Sequence, residues 1–273
     1  MPAAYWPRRN NRVASPSSTS FRRHRPERRP AVSEALGTVF VTGGTRGIGL
    51  AVTRQLLTVG YRVVAVARTA PSEFAALRES VGDPLTFLAA DLTSGDDRLA
   101  VANRLRECAD LHGLVNNAGV ASAALHVAAA RSDMTRMWQL NVEVPMSLSQ
   151  AAVKAMYRRG GRIVNITSIA AHRTFRGLGA YTATKCALEG FSRVLAAEVG
   201  SRGITVNCVA PGFIDTAMTA SIEDGLRAAI NRRNMLNRAA TVADVARSVE
   251  FLLSPAAEAI TAQVLRVDSG SGG

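Results

Sequence analysis

From Leu36 onward, short apolar runs alternate with longer amphipathic stretches, and that order predicts parallel strands joined by crossover helices. "TVFVTG", "YRVVAVAR" and "LTFLAADL" read as the first three strands, with a helix over "IGLAVTRQLLTVG" closed by Gly60 between the first two. A helix over "RLAVANRLRECADL" leads to a fourth strand, "GLVNNAG", that runs into a loop. A long helix around "MTRMWQLNVEVPMSLSQAAVKAMYRR", a strand "GRIVNITS", a helix from "AYTATKCAL" and a strand "GITVNCVAPG" follow. The chain finishes with a helix "VADVARSVEFLLS" and an apolar segment "AQVLRVDSG". No period repeats. Residues 34–273 are predicted to form one α/β domain, a doubly wound parallel sheet with helices on both faces.

The segment "AYTATKCALEGFSRVLAAEVGSRG" raises the chemical question. Ala187, Leu188, Phe191, Val194 and Leu195 recur at helical spacing, and Gly200 and Gly203 supply a stop. Tyr181 and Lys185 then lie on one face, where a phenol and an amine can converge. Taken alone the pair is ordinary helix surface, and other residues must point to the same place.

The loop "TGGTRGIG", Thr42 to Gly49, is one such pointer. Between a first strand and a first helix, glycines let the backbone turn tightly and approach a pyrophosphate whose charge rests at the helix N-terminus. The spacing Gly43, Gly47, Gly49 is not G-x-G-x-x-G, so position rather than pattern makes the loop a dinucleotide site. No Asp or Glu lies between Leu50 and Ser72 to receive a ribose 2'-hydroxyl. The second strand ends instead in Ala67 and Arg68, and Arg46 lies in the loop, two guanidiniums suited to the 2'-phosphate of NADP.

Charge changes the picture less than its size suggests. The formal net charge is +12, but residues 1–33 hold eight arginines against Glu27, a surplus of seven that leaves five for the rest. That Pro-, Ser- and Arg-rich tail has almost no apolar periodicity and is expected to be disordered. It fits an arm for polyanions, an organelle transit peptide or upstream sequence without a role, and the last is favoured. A nucleic-acid-binding body would interleave basic and aromatic residues, yet aromatics are 5% of the chain, so no nucleic acid partner is expected. No apolar run is long enough to cross a bilayer and the N-terminus lacks a secretory centre, so the reading is cytoplasmic, without a membrane. Cys108, Cys186 and Cys208 have no ligand spacing, which argues against a disulfide framework or any metal and for reduced, buried thiols.

Over residues 36–273 the sequence resembles the short-chain dehydrogenases/reductases, a Rossmann-type family. The likeness is carried by "TGGTRGIG", "DL" at Asp91, "NNAG" at 116–119, Asn141, "NITS" ending in Ser168, "YTATK" and "PGFIDT" at 211–216, with thirteen positions from Ser168 to Tyr181. It implies a catalytic tetrad of Asn141, Ser168, Tyr181 and Lys185. Tyr181 would protonate a ketone oxygen as hydride arrives from the nicotinamide. Lys185 would lower the phenol's pKa and hold the nicotinamide ribose. Ser168 would hydrogen-bond the substrate oxygen, and Asn141 would fix a water behind Lys185. By the same resemblance Asp91 meets the adenine, Asn117 and Gly119 the ribose side, and Thr216 the nicotinamide carboxamide or phosphate. The cofactor-binding set is completed by Thr42, Gly43, Thr45, Arg46, Gly47, Ile48, Gly49, Arg68, Leu92, Ala118, Pro211, Gly212 and Ile214, with Tyr181 and Lys185 themselves. Asn207 is structural, and His172, with no second His or acid to form a dyad, has no role.

Within the family the sequence is most similar to the beta-ketoacyl-acyl-carrier-protein reductases, through "SRGITVNCVAPGFIDTAMT" and "VADVARSVEFLLSPAAEAITAQVLRVDSG". Arg159 and Arg202 match positions with which that subfamily grips the acidic carrier protein. The resemblance therefore implies an NADPH-dependent reductase of a ketoacyl thioester in fatty acid biosynthesis, assembled as a homotetramer. Ala262 stands where the usual "ITG" has glycine, Ser269 interrupts the usual Gly-Gly after Asp268, and Ala171 replaces a common glycine after Ser168. "TAQ" at 261–263 also resembles polyketide ketoreductases, and free polyketide, sugar or steroid-like ketones remain as alternatives. An NADP-binding sensor would usually lack a tetrad member, and none is missing.

Overall fold

The computed structural model describes residues 35–214 and 232–271. Seven strands form one sheet in the order β3-β2-β1-β4-β5-β6-β7, and every neighbouring pair is parallel. The strands are β1 (Thr38–Thr42), β2 (Arg62–Ala67), β3 (Leu85–Ala89), β4 (Leu111–Asn116), β5 (Gly161–Ile166), β6 (Ile204–Pro211) and β7 (Val264–Val267). The helices are α1 (Gly47–Thr58), α2 (Ser72–Val81), α3 (Gly95–Glu107), α4 (Arg131–Trp138), α5 (Val144–Met156), α6 (Gly179–Val199) and α7 (Val242–Leu253).

The continuous apolar runs follow from burial on two faces. Val39, Val41, Val63 and Ala65 point into a core built with α1 and α7, whereas Phe40, Val64 and Val66 point into a second core with α3, α5 and α6. Strand order reverses between β1 and β4, which opens a crevice at the carboxyl ends of the strands, the usual ligand site of an open parallel sheet.

Four readings of the sequence are corrected. Helix α2 has no counterpart among the predicted elements because it buries only Phe74, too thin an apolar stripe to mark a period. Helix α3 begins earlier than predicted, at Gly95, where the Ser94 hydroxyl accepts from Asp97 N. It ends at Glu107, and β4 starts at Leu111, a residue assigned to the helix. The long helix before β5 is real but interrupted by a π-turn at Gln139–Glu143. The cysteines are all free, but of the three only Cys208 is buried, while Cys108 is half-buried and Cys186 exposed. Among the described residues no helix is long and apolar enough to cross a membrane and no cluster could hold a metal ion. The tail reading falls on residues outside those described.

Candidate active site

Ser168 leaves the carboxyl end of β5 in extended conformation and starts a 3-10 turn at Ile169–Ala171, its hydroxyl accepting from Ala170 N at 3.2 Å. Helix α6 begins at Gly179 and brings Tyr181 and Lys185 to the same place. Burial holds the Tyr181 phenol above its ordinary value, while the neighbouring Ser168 hydroxyl pulls the other way. The expectation that the ammonium lowers this phenol is therefore not met. Lys185 Nζ lies 5.6 Å from the Tyr181 ring centroid and donates to the main-chain oxygen of Ile166 at 2.9 Å. Lys185 is itself buried, and desolvation pulls its pKa down to about 8.

Asn141 is buried inside the π-turn, a local widening of the helix often found at functional sites. Its oxygen accepts from Val120 N at 2.9 Å, and its amide nitrogen donates to Val120 O at 2.9 Å and Thr184 Oγ1 at 3.1 Å. The side chain thus locks the β4 loop to α6. Gly119 lies beside both groups: a Cβ there would come within 3.1 Å of Asn141 Oδ1 and 3.6 Å of Lys185 Nζ. A side chain there would crowd the Asn141 oxygen, so the close approach of this loop to Asn141 suits glycine.

The glycine loop fits a dinucleotide. Arg46 at the start of α1 makes no side-chain cap, the first turn has no acid, and the N–H groups of Gly47, Ile48 and Gly49 form a helix N-terminus suited to an anion. Gly43 and Gly47 both have positive φ, and a Cβ on Gly47 would meet nothing within 4 Å, so the loop faces open space there. Gly49 is different, because a Cβ would fall 2.0 Å from Gly43 O, and the position tolerates only glycine. Arg46 and Arg68 are exposed at the mouth of this crevice, and Arg68 acts electrostatically on Asp91.

Several residues assigned to the cofactor have side chains already engaged. Thr42 Oγ1 accepts from Asn117 N and Ala118 N, and Asn117 Nδ2 donates to Thr42 O and Gly43 O, so these groups clamp the β1 and β4 loops together. Asp91 Oδ1 accepts from Thr93 N and Thr93 Oγ1, and these bonds hold its carboxyl below the usual range. Thr45, Leu92 and Ile214 are buried, and Ile48 packs against the core. Pro211 ends β6, and a Cβ on Gly212 would come 2.7 Å from Asp268 Cα, so that glycine serves close packing. Thr216 lies outside the described residues.

Arg159 and Arg202 are brought together, but not at this site. Arg159 closes the turn before β5 and Arg202 the turn before β6, whereas Ser168 follows the other end of β5. Arg202 stacks over Tyr157, its guanidinium carbon 4.2 Å from the ring centroid, and Arg159 donates to Ala109 O.

His172, left without a role by the sequence, has a partner after all. Its Nε2 lies 3.0 Å from Oε1 of the buried Glu189. Glu189 is two helical turns past Tyr181 and one past Lys185, and that spacing is the signal that could have found it. Thr184, which joins Asn141 to α6, was also missed.

A family model described as "Enoyl-(Acyl carrier protein) reductase" matches residues 43–271. The 3-oxoacyl-[acyl-carrier-protein] reductase FabG of Chlamydia trachomatis serovar D is 35% identical over 238 residues, covering 85% of this chain and 96% of the relative. Nodulation protein G of a Rhizobium species, strain N33, is 36% identical over 235 residues, covering 85% and 95%. Among solved structures, a blue fluorescent protein from a metagenomic library, in complex with NADPH, superposes with a TM-score of 0.79 at 34% identity, covering 87% of this chain and 98% of that one. With Ser168, Tyr181 and Lys185 gathered at the carboxyl end of a seven-stranded parallel sheet, the protein is an oxidoreductase of the short-chain dehydrogenase/reductase family.

Proposed function

We propose that the protein is an NADPH-dependent reductase that converts a ketone to a secondary alcohol, with a 3-oxoacyl thioester on an acyl carrier protein as leading substrate. The observation that carries the reading is the convergence of Ser168, Tyr181 and Lys185 beside a glycine-lined, uncapped helix N-terminus. Gly43, Gly47 and the first N–H groups of α1 would hold the cofactor's pyrophosphate, Arg46 and Arg68 the 2'-phosphate, and Lys185 the ribose beside Gly119. When bound, NADPH supplies the hydride. Tyr181 gives its phenolic proton to the ketone oxygen, and a phenol kept protonated by burial is suited to that task. Ser168 donates to the same oxygen as negative charge develops. Lys185, protonated below about pH 8, supplies the positive charge behind the phenol. Asn141 holds the loop that bears Gly119 against α6.

The substrate class rests on relatives whose names specify 3-oxoacyl-carrier-protein reduction. A second reading, a free ketone, is favoured by the position of Arg159 and Arg202. A carrier seated on them would stand roughly 20 Å from the catalytic end, the length of β5. Cytoplasmic location and a homotetramer belong to the same proposal by family likeness.

The test is steady-state oxidation of NADPH and of NADH with acetoacetyl thioester on carrier protein, the free thioester, small ketones and polyols. Preference for NADPH and for the carrier-bound thioester supports the proposal. Turnover only with free ketones leaves the reductase and removes the carrier, and preference for NADH removes the cofactor assignment.

A further inference from the structure

Tyr181, Lys185 and Glu189 occupy successive turns of one face of α6, and the third of them has no place in the reaction described above. Glu189 is a buried carboxylate, its side chain 6% exposed. Its Oε1 lies 3.0 Å from His172 Nε2. His172 closes the 3-10 turn that Ser168 opens, its N–H donating to Ile169 O at 2.9 Å. The pair therefore ties the turn after Ser168 to the helix that carries Tyr181 and Lys185.

We propose that Glu189, held in place by His172, is a positioning residue that acts as the buried counter-ion of Lys185 and keeps its ammonium charged inside the site. The inference rests on the reading of Lys185 as the site's working cation.

The groups around Lys185 leave few alternatives. From α6 come Tyr181 and Glu189, from β5 the Ile166 carbonyl, from β6 Cys208, and from the π-turn Asn141 across Gly119. Tyr181 is a neutral phenol whose burial opposes ionisation. Burial pushes the Cys208 thiol up to about 12, so at neutral pH it carries no charge that could hold an ammonium. Arg193, which acts on Cys208, is exposed and of the wrong sign. Desolvation draws Lys185 down, and of the two groups that oppose it, Cys208 and Glu189, only the carboxylate is an anion near neutrality. An isolated buried ammonium loses its proton readily, and an opposite charge one helical turn away favours retention. The His172 contact keeps the carboxylate turned inward, because an acid at the helix surface would otherwise reach for water.

The chain has only two lysines, Lys154 and Lys185, so the proposal can be read directly. Protein labelled at lysine Cε gives two NMR signals, and a Lys154→Arg variant assigns them. In the unsubstituted protein the Lys185 signal should titrate near 8. In Glu189→Gln, of the same shape without the charge, its midpoint should fall by about one pH unit or more while Lys154 stays fixed. Glu189→Asp should restore most of the difference. His172→Ala, at a half-exposed side chain, should shift the midpoint in the same direction by a smaller step, and serves if Glu189→Gln fails to fold. NADPH oxidation with the best ketone from the screen should lose more in Glu189→Gln on the alkaline side of neutrality than on the acid side. A Lys185 midpoint unmoved by the Glu189 and His172 changes overturns the proposal. If Lys185→Met keeps normal turnover while the midpoints move as stated, the counter-ion is real and the catalytic reading of Lys185 is what fails.

Discussion

Lys185 reaches past the Tyr181 ring, with its Nζ 5.6 Å from the ring centroid, to donate to Ile166 O at 2.9 Å. The main chain of β5 therefore fixes the ammonium just before the strand delivers Ser168. Replacing Tyr181 with Phe leaves that arrangement and most packing intact and removes only the proposed proton donor. Turnover should fall by about a hundredfold or more, the scale of a general acid, while NADPH binding followed by fluorescence persists. Near-normal turnover would sink the assignment.

The pH dependence follows from the same ammonium. With its pKa lowered from 10.5 to about 8, Lys185 loses its proton as pH rises through 8, and reduction should decline on that limb. Stability runs the other way. Between about 8 and 10.5 the unfolded chain holds a proton that the native one has lost, so this group makes folding more favourable as pH rises. A melting curve unchanged or raised across the limb where activity is lost is the expected result, whereas coincident unfolding would assign the limb elsewhere.

Cofactor preference should respond to the end of β2. Ala67→Asp with Arg68→Ile supplies an acceptor for a ribose 2'-hydroxyl and removes a guanidinium, so kcat/KM should move toward NADH by at least about tenfold. A preference for NADH in the unsubstituted protein would overturn the argument from the absent acid.

Backbone geometry gives a prediction independent of chemistry. Ala262 and Ser269, both standing where glycine is usual, have φ of +59° and +57°. A side chain in that region costs about 1 kcal/mol per residue, and part of this is offset by the greater freedom of an unfolded glycine. The double change Ala262→Gly, Ser269→Gly should stabilise the protein by about 1 kcal/mol and raise Tm by roughly 2–4 °C. A lower Tm would mean that the Ala262 methyl, packed at the edge of the core, matters more than its strain.

The two arginines before β5 and β6 separate the substrate readings. Changing Arg159 and Arg202 to Glu leaves the catalytic end untouched and reverses two charges at the opposite end. Turnover of a carrier-bound thioester should drop selectively and its salt dependence flatten, with the free thioester unaffected. An unchanged ratio points to a free ketone.

What was legible in the sequence follows burial. Strands such as β1, buried on both faces, announce themselves as apolar runs, and α6 shows its period because one face packs on the sheet. Helix α2, which buries only Phe74, leaves no such trace. Tyr181 and Lys185 could be paired by spacing, since the helix itself sets their separation. The contact between His172 and Glu189 could not, because it depends on how the turn after Ser168 folds back over α6. Nor could the sequence tell that Thr42 and Asn117 would turn their polar groups on each other, for that requires two loops from different strands to meet.

The π-turn at Gln139–Glu143 divides one helical run into two segments of independent phase. Removing a single residue there would leave a chain still able to wind as continuous α-helix, so no break would be visible in its helical content. Everything on the amino side, however, would turn by about 100° and advance about 1.5 Å relative to α5. Met137, now buried, would leave its seat, and Asn141 would no longer stand opposite Val120 and Thr184. One surplus residue thus works as a vernier between scaffold and site, setting the angle of one without disturbing the packing of the other.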